Sequence, residues 1–566
     1  MTKKIGVYVC ECGGNIGDNV DMDAILDSFT GLRDVAVVEK GRLLCSAAGV
    51  ESLKQGIMDH GLTHLVVAAC SPKQHESTFM NACESAGLNP YLFQMVNIRE
   101  QGVWVTPDKR EATEKAIRQI RAAVGRVRYH AALEKKEMRC SPDVLVIGGG
   151  VAGMRTSLLL ASPKRKVYLV EKTPALGGKT KGFAQLFTNM EDSGPALIEE
   201  AEQAIRENDS IEVFTDSEVE EILGFFGNFE VNLVGKGGNE EVNFGVGAVV
   251  LATGFDCFDP TVLPEYGYGK LDDVYTALEF EQMNLPAGPT EGTILLKSGK
   301  PPQSVAIINC VGRNEKGYCS KVCCLYALKF ARMLKARLPG IKVAQFYSDL
   351  CIPGKTYQRF FEQTKASGID FVRADTVEVA PAEEGMTVEF ESAGGAREGL
   401  AADMVVLVPA MEPSSDTQKF AQMLNIGQDE HGFFAEEHAL LSPLASSVEG
   451  VYVVGCAQGP KSIAESIVQS EGAAGKILSS LIPGRKLELE VRTSEISETF
   501  CVGCKACLNV CPYSAISFDE ARKISVVNEA LCHGCGACAA ACPSGAASVK
   551  NFSFTNLYQE VTQLLK

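Results

Sequence analysis

No long, uninterrupted hydrophobic run occurs in this chain. The longest apolar stretch, Val144 to Leu160, is broken by Gly148, Gly149, Gly150, Gly153 and Arg155, which removes it as a bilayer span. A basic excess is also missing: 54 Lys and Arg face 71 Asp and Glu, for a formal charge of −17. That balance argues against a nucleic-acid surface, where Lys and Arg neutralise phosphates. The apolar run after Met1-Thr-Lys-Lys stops at Glu11, too short for a signal-peptide core, and predicts a cytoplasmic protein. The seven histidines form no acid/base constellation with their neighbours, and His533 reads as loop filler. Cysteine, by contrast, is plentiful at 21 residues; in a reducing compartment this favours metal ligation over disulfides. A length of 566 residues is enough for three or four domains, each with its own core.

Eight of the cysteines form two tandem runs, Cys501, Cys504, Cys507, Cys511-Pro512 and Cys532, Cys535, Cys538, Cys542-Pro543. Each has the spacing C-x2-C-x2-C-x3-C-P of a two-cluster ferredoxin, in which the fourth cysteine of one run ligates the other cluster. Cys501, Cys504, Cys507 and Cys542 are therefore assigned to one 4Fe-4S cluster, and Cys532, Cys535, Cys538 and Cys511 to a second. Such a module moves single electrons.

A nucleotide fingerprint begins at Asp143. An apolar strand runs into Gly148-Gly149-Gly150-Val151-Ala152-Gly153, a helical segment follows, and the strand Lys166-Val-Tyr-Leu-Val ends at Glu171-Lys172. Gly148 and Gly150 allow a tight turn close to a pyrophosphate, and Gly153 allows the helix to pack on the strand. The helix N-terminus offers N–H donors, and Glu171 is placed to hold a ribose hydroxyl. Downstream, a strand ends in Ala252-Thr253-Gly254, and Val451-Tyr-Val-Val-Gly455-Cys-Ala-Gln458-Gly-Pro-Lys461 leads into a helix beginning near Ser462-Ile463. This order resembles the two-dinucleotide-domain flavoproteins of the thioredoxin reductase type, which makes FAD the expected ligand, with Gly178 after the second strand in its site. Segments Phe229 to Val250, with Gly237-Gly238, and Met386 to Leu407, with Gly394-Gly395, read as antiparallel meanders.

Where such an enzyme would carry a second glycine loop, the strand Ser304 to Cys310 is followed by Val-Gly-Arg-Asn-Glu-Lys-Gly-Tyr-Cys319-Ser-Lys-Val-Cys323-Cys324. No G-x-G-x-x-G remains to admit a nicotinamide dinucleotide. Cys310, Cys319, Cys323 and Cys324 instead offer four thiols for a third 4Fe-4S cluster, beside a helix expected from about Ser320 to Leu338. Lys329 lies somewhat more than one helical turn beyond Cys324, and spacing alone leaves it facing either the cysteines or solvent.

Residues 4 to about 100 alternate strand and helix patterns, predicting a small α/β domain. Cys10 and Cys12 follow its first strand, Cys45 its second strand region and Cys70 its third. Functional groups gather at the C-terminal edges of parallel strands, so these four either ligate a further 4Fe-4S cluster or are core cysteines. The helical stretch Glu111 to Glu134 carries Arg118, Arg121, Arg126 and Arg128 as a solvated or docking face.

Taken with Cys10-Glu-Cys12-Gly, Cys70-Ser-Pro-Lys-Gln-His75, the glycine loop, Cys310 to Cys324, Gln458-Gly-Pro-Lys461 and the terminal ferredoxin, the chain resembles the A-subunit of heterodisulfide reductase over nearly its full length. The resemblance implies an electron-bifurcating FAD, with Lys329 approaching the flavin and a cation there favouring an anionic reduced form. It also implies other subunits of a heterodisulfide-reductase-like complex as partners, electron delivery by ferredoxin or by a hydrogenase or dehydrogenase component, and a homodimer. Methanogen members carry an inserted ferredoxin-like domain soon after the ribose-binding acid; with no Cys between Cys140 and Cys257, that insertion is absent, which leaves donor and acceptor open.

The expected organisation is α/β: residues 1–138 an N-terminal domain, 139–290 with 415–486 a thioredoxin-reductase-like FAD domain, 291–414 a degenerate nucleotide-binding domain with a 4Fe-4S site, and 487–566 a ferredoxin domain. The expected function is a bifurcating flavin and iron–sulfur oxidoreductase. The alternative is the flavoprotein of a quinone-interacting, membrane-associated complex.

Overall fold

The computed structural model describes residues 3–187, 190–235, 241–392 and 395–566, and it divides into two compact units, Met1–Met138 with Glu488–Lys566, and Arg139–Leu487. The first unit joins the two ends of the chain. Its sheet is parallel, in the order Val35–Gly41, Ile5–Cys10, His64–Ala69, Phe93–Asn97. The central strands Ile5–Cys10 and His64–Ala69 are buried along their whole length, which is why they read as continuous apolar runs. The helix Lys109–Val127 starts at Asp108, whose side chain accepts from the Glu111 N–H at 2.9 Å.

That helix packs on the C-terminal helix Phe554–Leu564. Here the arginine face expected from sequence divides: Arg118 is exposed, while Arg126 is buried, pairs with Glu560 at 2.7 Å and lies 4.2 Å over the Phe552 ring. Asn551 adds side-chain bonds to the Tyr91 carbonyl at 3.2 Å and the Ala131 carbonyl at 3.1 Å, and accepts from the Ala131 N–H at 2.8 Å. The ferredoxin segment contributes two small antiparallel pairs, Ser494–Ile496 with Ala547–Val549 and Ile516–Asp519 with Ile524–Val527. The single-turn helices Ala506–Asn509 and Ala537–Ala541 pack on one another.

The second unit holds two five-stranded parallel sheets. One runs in the order Val451–Val453, Ala248–Leu251, Val144–Ile147, Val167–Val170, Ile211–Phe214. The other runs Val274–Thr276, Met404–Pro409, Ser304–Val311, Lys342–Tyr347, Asp370–Arg373. Each sheet carries an antiparallel three-stranded meander, Ser217–Phe225 to Glu241–Val246 in one and Val377–Pro381 to Arg397–Ala402 in the other. The expected turn residues Gly237, Gly238 and Gly394 lie outside the described residues. Val250 and Leu407, read as meander ends, belong instead to the parallel strands. Phe255–Cys257 pairs with Met411–Pro413 between the two sheets. The helix expected from Ser320 begins at Cys323 and ends at Arg337; Lys321 adopts φ +46°, which ends any helical path before it. Among the described residues no helix is long and apolar enough to cross a membrane.

Candidate flavin and iron–sulfur sites

In the first sheet of the second unit, Val144–Ile147 lies between Ala248–Leu251 and Val167–Val170. The order of strand addition reverses there, and parallel sheets open a crevice beyond the carboxyl ends of their strands at such a point. The glycine loop leaves this strand. Gly148 takes φ +108°, and a Cβ on it would lie 2.3 Å from the Ala252 carbonyl oxygen; one on Gly153 would lie 1.8 Å from the Gly148 oxygen. Both glycines hold backbones together, whereas a Cβ on Gly150 meets nothing within 4 Å. Gly150 caps the helix Val151–Leu160 with no side-chain bond to its first N–H groups, leaving donors free at a positive dipole end.

A cavity of about 630 Å³ opens there, within the usual size of cofactor sites. Gly148, Gly150, Val151, Ala152, Glu171, Lys172, Gly178, Ala252, Thr253, Gly254, Ser462 and Ile463 line it. Thr253 Oγ1 is buried without a partner on this wall. Unsatisfied donors, open glycine and an orphaned hydroxyl fit the pyrophosphate and polar edges of FAD. Glu171 is partly engaged already: its carboxylate accepts from the Gly149 N–H at 2.7 Å and from the Thr173 N–H at 2.9 Å, tying the glycine loop to the turn after the second strand.

Three of the expected cofactor residues stand off the cavity. Gly153 is spent on helix–strand packing, as its contact with Gly148 requires. The Gly455 N–H donates to Gln469 Oε1 at 2.8 Å. Gln458 Oε1 accepts from Gln469 Nε2 at 2.6 Å, and its amide nitrogen donates to the Pro443 carbonyl. These last two brace the loop that ends Val451–Val453 against the helix Ile463–Ser480.

Lys329 resolves the choice that spacing left open. It lies on the cavity wall, with its side chain and that of its ion-pair partner Glu281 each only 1 % exposed. Lys329 Nζ also donates to the Gln185 carbonyl at 3.0 Å, while Glu281 Oε2 accepts from the Ala184 N–H at 2.9 Å. The rings of Tyr326, Phe330 and Phe183 surround the ammonium at 4.2, 4.7 and 5.7 Å. Burial pulls the lysine below its ordinary pKa, and the Glu281 carboxylate opposes that pull.

The same helix reaches the third cysteine set. Cys323, in its first turn, lines the cavity with Tyr326 and Lys329, and Cys310, Cys319 and Cys324 lie in its electrostatic surroundings. Hydrogen bonding between the two adjacent free thiols pushes Cys324 below its ordinary pKa and Cys323 above it, with burial adding to the rise of Cys323. In place of a dinucleotide loop, Gly312 is backed by the Phe258 ring and followed by the single turn Arg313–Lys316.

In the first unit, a second cavity is lined by Cys511, Cys532, Cys535 and Cys538 together with Tyr513 and His533, the crossed set assigned to one ferredoxin cluster. His533, in the loop between Cys532 and Cys535, sets its ring 4.2 Å from that of Tyr513, tilted by 34°. The Ser494 N–H donates to Cys532 at 3.2 Å and the Ala515 N–H to Cys511 at 3.3 Å, the kind of donor that steadies a ligating thiolate. Cys542 Sγ accepts from the Ala547 N–H at 3.5 Å; Cys501 and Cys504 are half-buried and exposed, and Cys507 is buried. At the N-terminal sheet edge, Cys10, Cys12, Cys45 and Cys70 share one core cluster, and Arg99 Nη1 donates to Cys12 Sγ at 3.0 Å. Among the described residues no three His, Cys, Asp or Glu side chains converge on a single-ion site; a cubane spreads its thiolates over four iron corners instead.

Sequence reasoning missed Glu281, Cys257, Cys456 and Cys351. Cys257, pushed up to about 11 by burial, and Cys456 line the cavity, and Cys351 adjoins the third cysteine set. Cys456 falls within the Gly455 to Lys461 motif without being marked by it, and Glu281, Cys257 and Cys351 stand in no motif, so only tertiary neighbours reveal them.

Residues 142–470 match the family described as pyridine nucleotide-disulphide oxidoreductase, and residues 500–546 the 4Fe-4S dicluster domain. The A-subunit of the ferredoxin/F(420)H(2)-dependent CoB-CoM heterodisulfide reductase of Methanosarcina acetivorans is 35 % identical, over 92 % of this chain and 76 % of its own. The A-subunit of the H(2):CoB-CoM heterodisulfide,ferredoxin reductase of Methanothermobacter marburgensis is 34 % identical over 91 % of both chains. A thioredoxin reductase of T. acidophilum superposes on 60 % of this chain and all of its own at 16 % identity, with a TM-score of 0.42.

Proposed function

The chain belongs to the family of heterodisulfide reductase A-subunits, and from that premise we propose that it is the flavin-centred hub of a larger complex, dividing electron pairs between two iron–sulfur paths. It is a flavin and iron–sulfur oxidoreductase. Several relatives are named for a heterodisulfide and a ferredoxin together, which supports two outlets of different potential. One observation carries the reading: the helix Cys323–Arg337 supplies Cys323 to a cysteine set and Lys329 to the flavin cavity, so the two sites share a wall.

Bound FAD would supply the exchange between two-electron and one-electron chemistry. Gly148, Gly150 and the N-terminus of Val151–Leu160 would hold its pyrophosphate, and Thr253 Oγ1 would offer a polar contact on the same wall. Lys329 holds a proton at Nζ against the cavity, Glu281 orients it, and the three rings keep water from it. The two crossed ferredoxin sets, the Cys310 to Cys324 set and the N-terminal cysteines would then ligate four clusters. Partner proteins of the complex deliver and accept the electrons, and the chain pairs with a second copy.

Anaerobic purification with iron and FAD assayed per chain, followed by dithionite titration, tests this. About sixteen iron atoms, four per cubane, with one FAD reduced in a single two-electron step, supports it. About eight iron atoms, with the flavin reduced in two resolved steps, would reduce the protein to a simple conduit.

A further inference from the structure

Four thiols suffice for one cubane, one at each iron corner, yet the set at the end of Ser304–Val311 has a fifth beside it. Cys351 stands in the loop after the strand Lys342–Tyr347, the next strand of the same sheet. Its N–H donates to Cys324 Sγ at 3.4 Å. Its thiol is close enough to Cys319 for the two to interact electrostatically. The loop is held in place: Asp349 pairs with Arg313 at 3.1 Å, and Leu350 and Cys351 pack against the buried cluster that contains Cys323 and Cys324. Asn309 Nδ2 is a further, more distant donor to Cys324 at 3.9 Å.

A cluster gains negative charge on reduction, and N–H or S–H donors aimed at its thiolates stabilise that charge and raise the potential. With Cys310, Cys319, Cys323 and Cys324 occupying the four corners, the fifth thiol keeps its hydrogen and is a weak donor. We propose that Cys351 is a positioning residue that tunes this cluster, its N–H directed to Cys324 and its S–H to Cys319, so that the cluster accepts electrons from the neighbouring flavin cavity more readily than its four ligands alone would allow. This rests on the reading of those four cysteines as one ligand set.

The full-length protein, purified anaerobically as wild type, Cys351→Ala, Cys351→Ser and Cys310→Ser, separates the possibilities by iron content and EPR-monitored redox titration. Cys310→Ser identifies the signal of this cluster by removing it. The inference expects Cys351→Ala to retain all its iron while that one signal moves to lower potential, and Cys351→Ser, whose O–H also donates, to bring it back toward wild type. A purely packing role would not be reversed by serine in this way. Loss of about four iron atoms in Cys351→Ala would make Cys351 a ligand and overturn the inference, as would an unmoved potential with iron intact. If Cys310→Ser loses no iron, the ligand-set reading itself falls and takes the inference with it.

Discussion

Lys329 and Glu281 show how much a single buried pair can be asked to do. Burial favours the neutral lysine and the carboxylate favours the charged one, so the ammonium is poised beside the cavity by two opposed effects. Replacing Lys329 with Met is expected to leave iron and FAD content intact and lower the flavin midpoint potential by roughly 30–60 mV, the two-electron equivalent of about 1.4–3 kcal/mol; Lys329→Arg should recover part of it in spectroelectrochemical titration. Glu281→Gln strands a buried amine, and the expected result is a neutral lysine and the same direction of shift.

His130 carries a second residue-scale prediction. Burial lowers it from 6.5 to about 4, with Arg126 adding to the effect, while its Nδ1 faces the Tyr91 carbonyl at 3.1 Å. A histidine depressed on folding binds its proton more readily in the unfolded chain, so stability falls as pH drops below 6.5 and levels off near 4. His64 is lowered in the same direction, first by burial. About 2 kcal/mol should be lost between pH 7.5 and 5 on this account, read as a lower denaturation midpoint that flattens in His130→Asn.

At the scale of elements, glycine positions sort by what a Cβ would meet. Gly153→Ala puts a methyl against the Gly148 carbonyl oxygen at 1.8 Å, so the helix Val151–Leu160 must shift. The expected outcome is a purified protein with its iron but less than a tenth of its FAD, measured by absorbance after desalting. The fingerprint was legible in sequence because a pyrophosphate turn constrains residue type at fixed offsets. The bracing role of Gln458 was not, since its partner Gln469 is on a helix whose approach no local spacing encodes. Helix starts blurred for a related reason: the backbone at Lys321 turns left-handed, which nothing in its side chain requires.

For the whole molecule, the joining of chain ends is the feature with most consequence. Arg126, Asn551 and Glu560 tie Lys109–Val127 to Phe554–Leu564, so residues 1–138 and 488–566 should behave as one cooperative body. Proteolysis near Met138 and Glu488 is expected to leave the two terminal fragments co-eluting in native gel filtration. Arg126→Ala, which removes a largely buried cation from Glu560 and Phe552, should separate them or cost about 1–3 kcal/mol in unfolding.

By itself, the sequence determined what depends on short-range spacing: the doubled cysteine runs of the dicluster domain, the glycine loop, the strand-and-loop setting of Cys310 to Cys324 and the α/β class. The first three thiols of each cysteine run and the glycines of a pyrophosphate turn sit at fixed short offsets, so their pattern is written locally. Only the tertiary structure decided that Lys329 turns inward to Glu281, that Cys351 returns beside Cys324 and that the first and last segments fold together. Those outcomes follow from packing between distant elements, where burial and pairing are set by neighbours that no window of sequence contains.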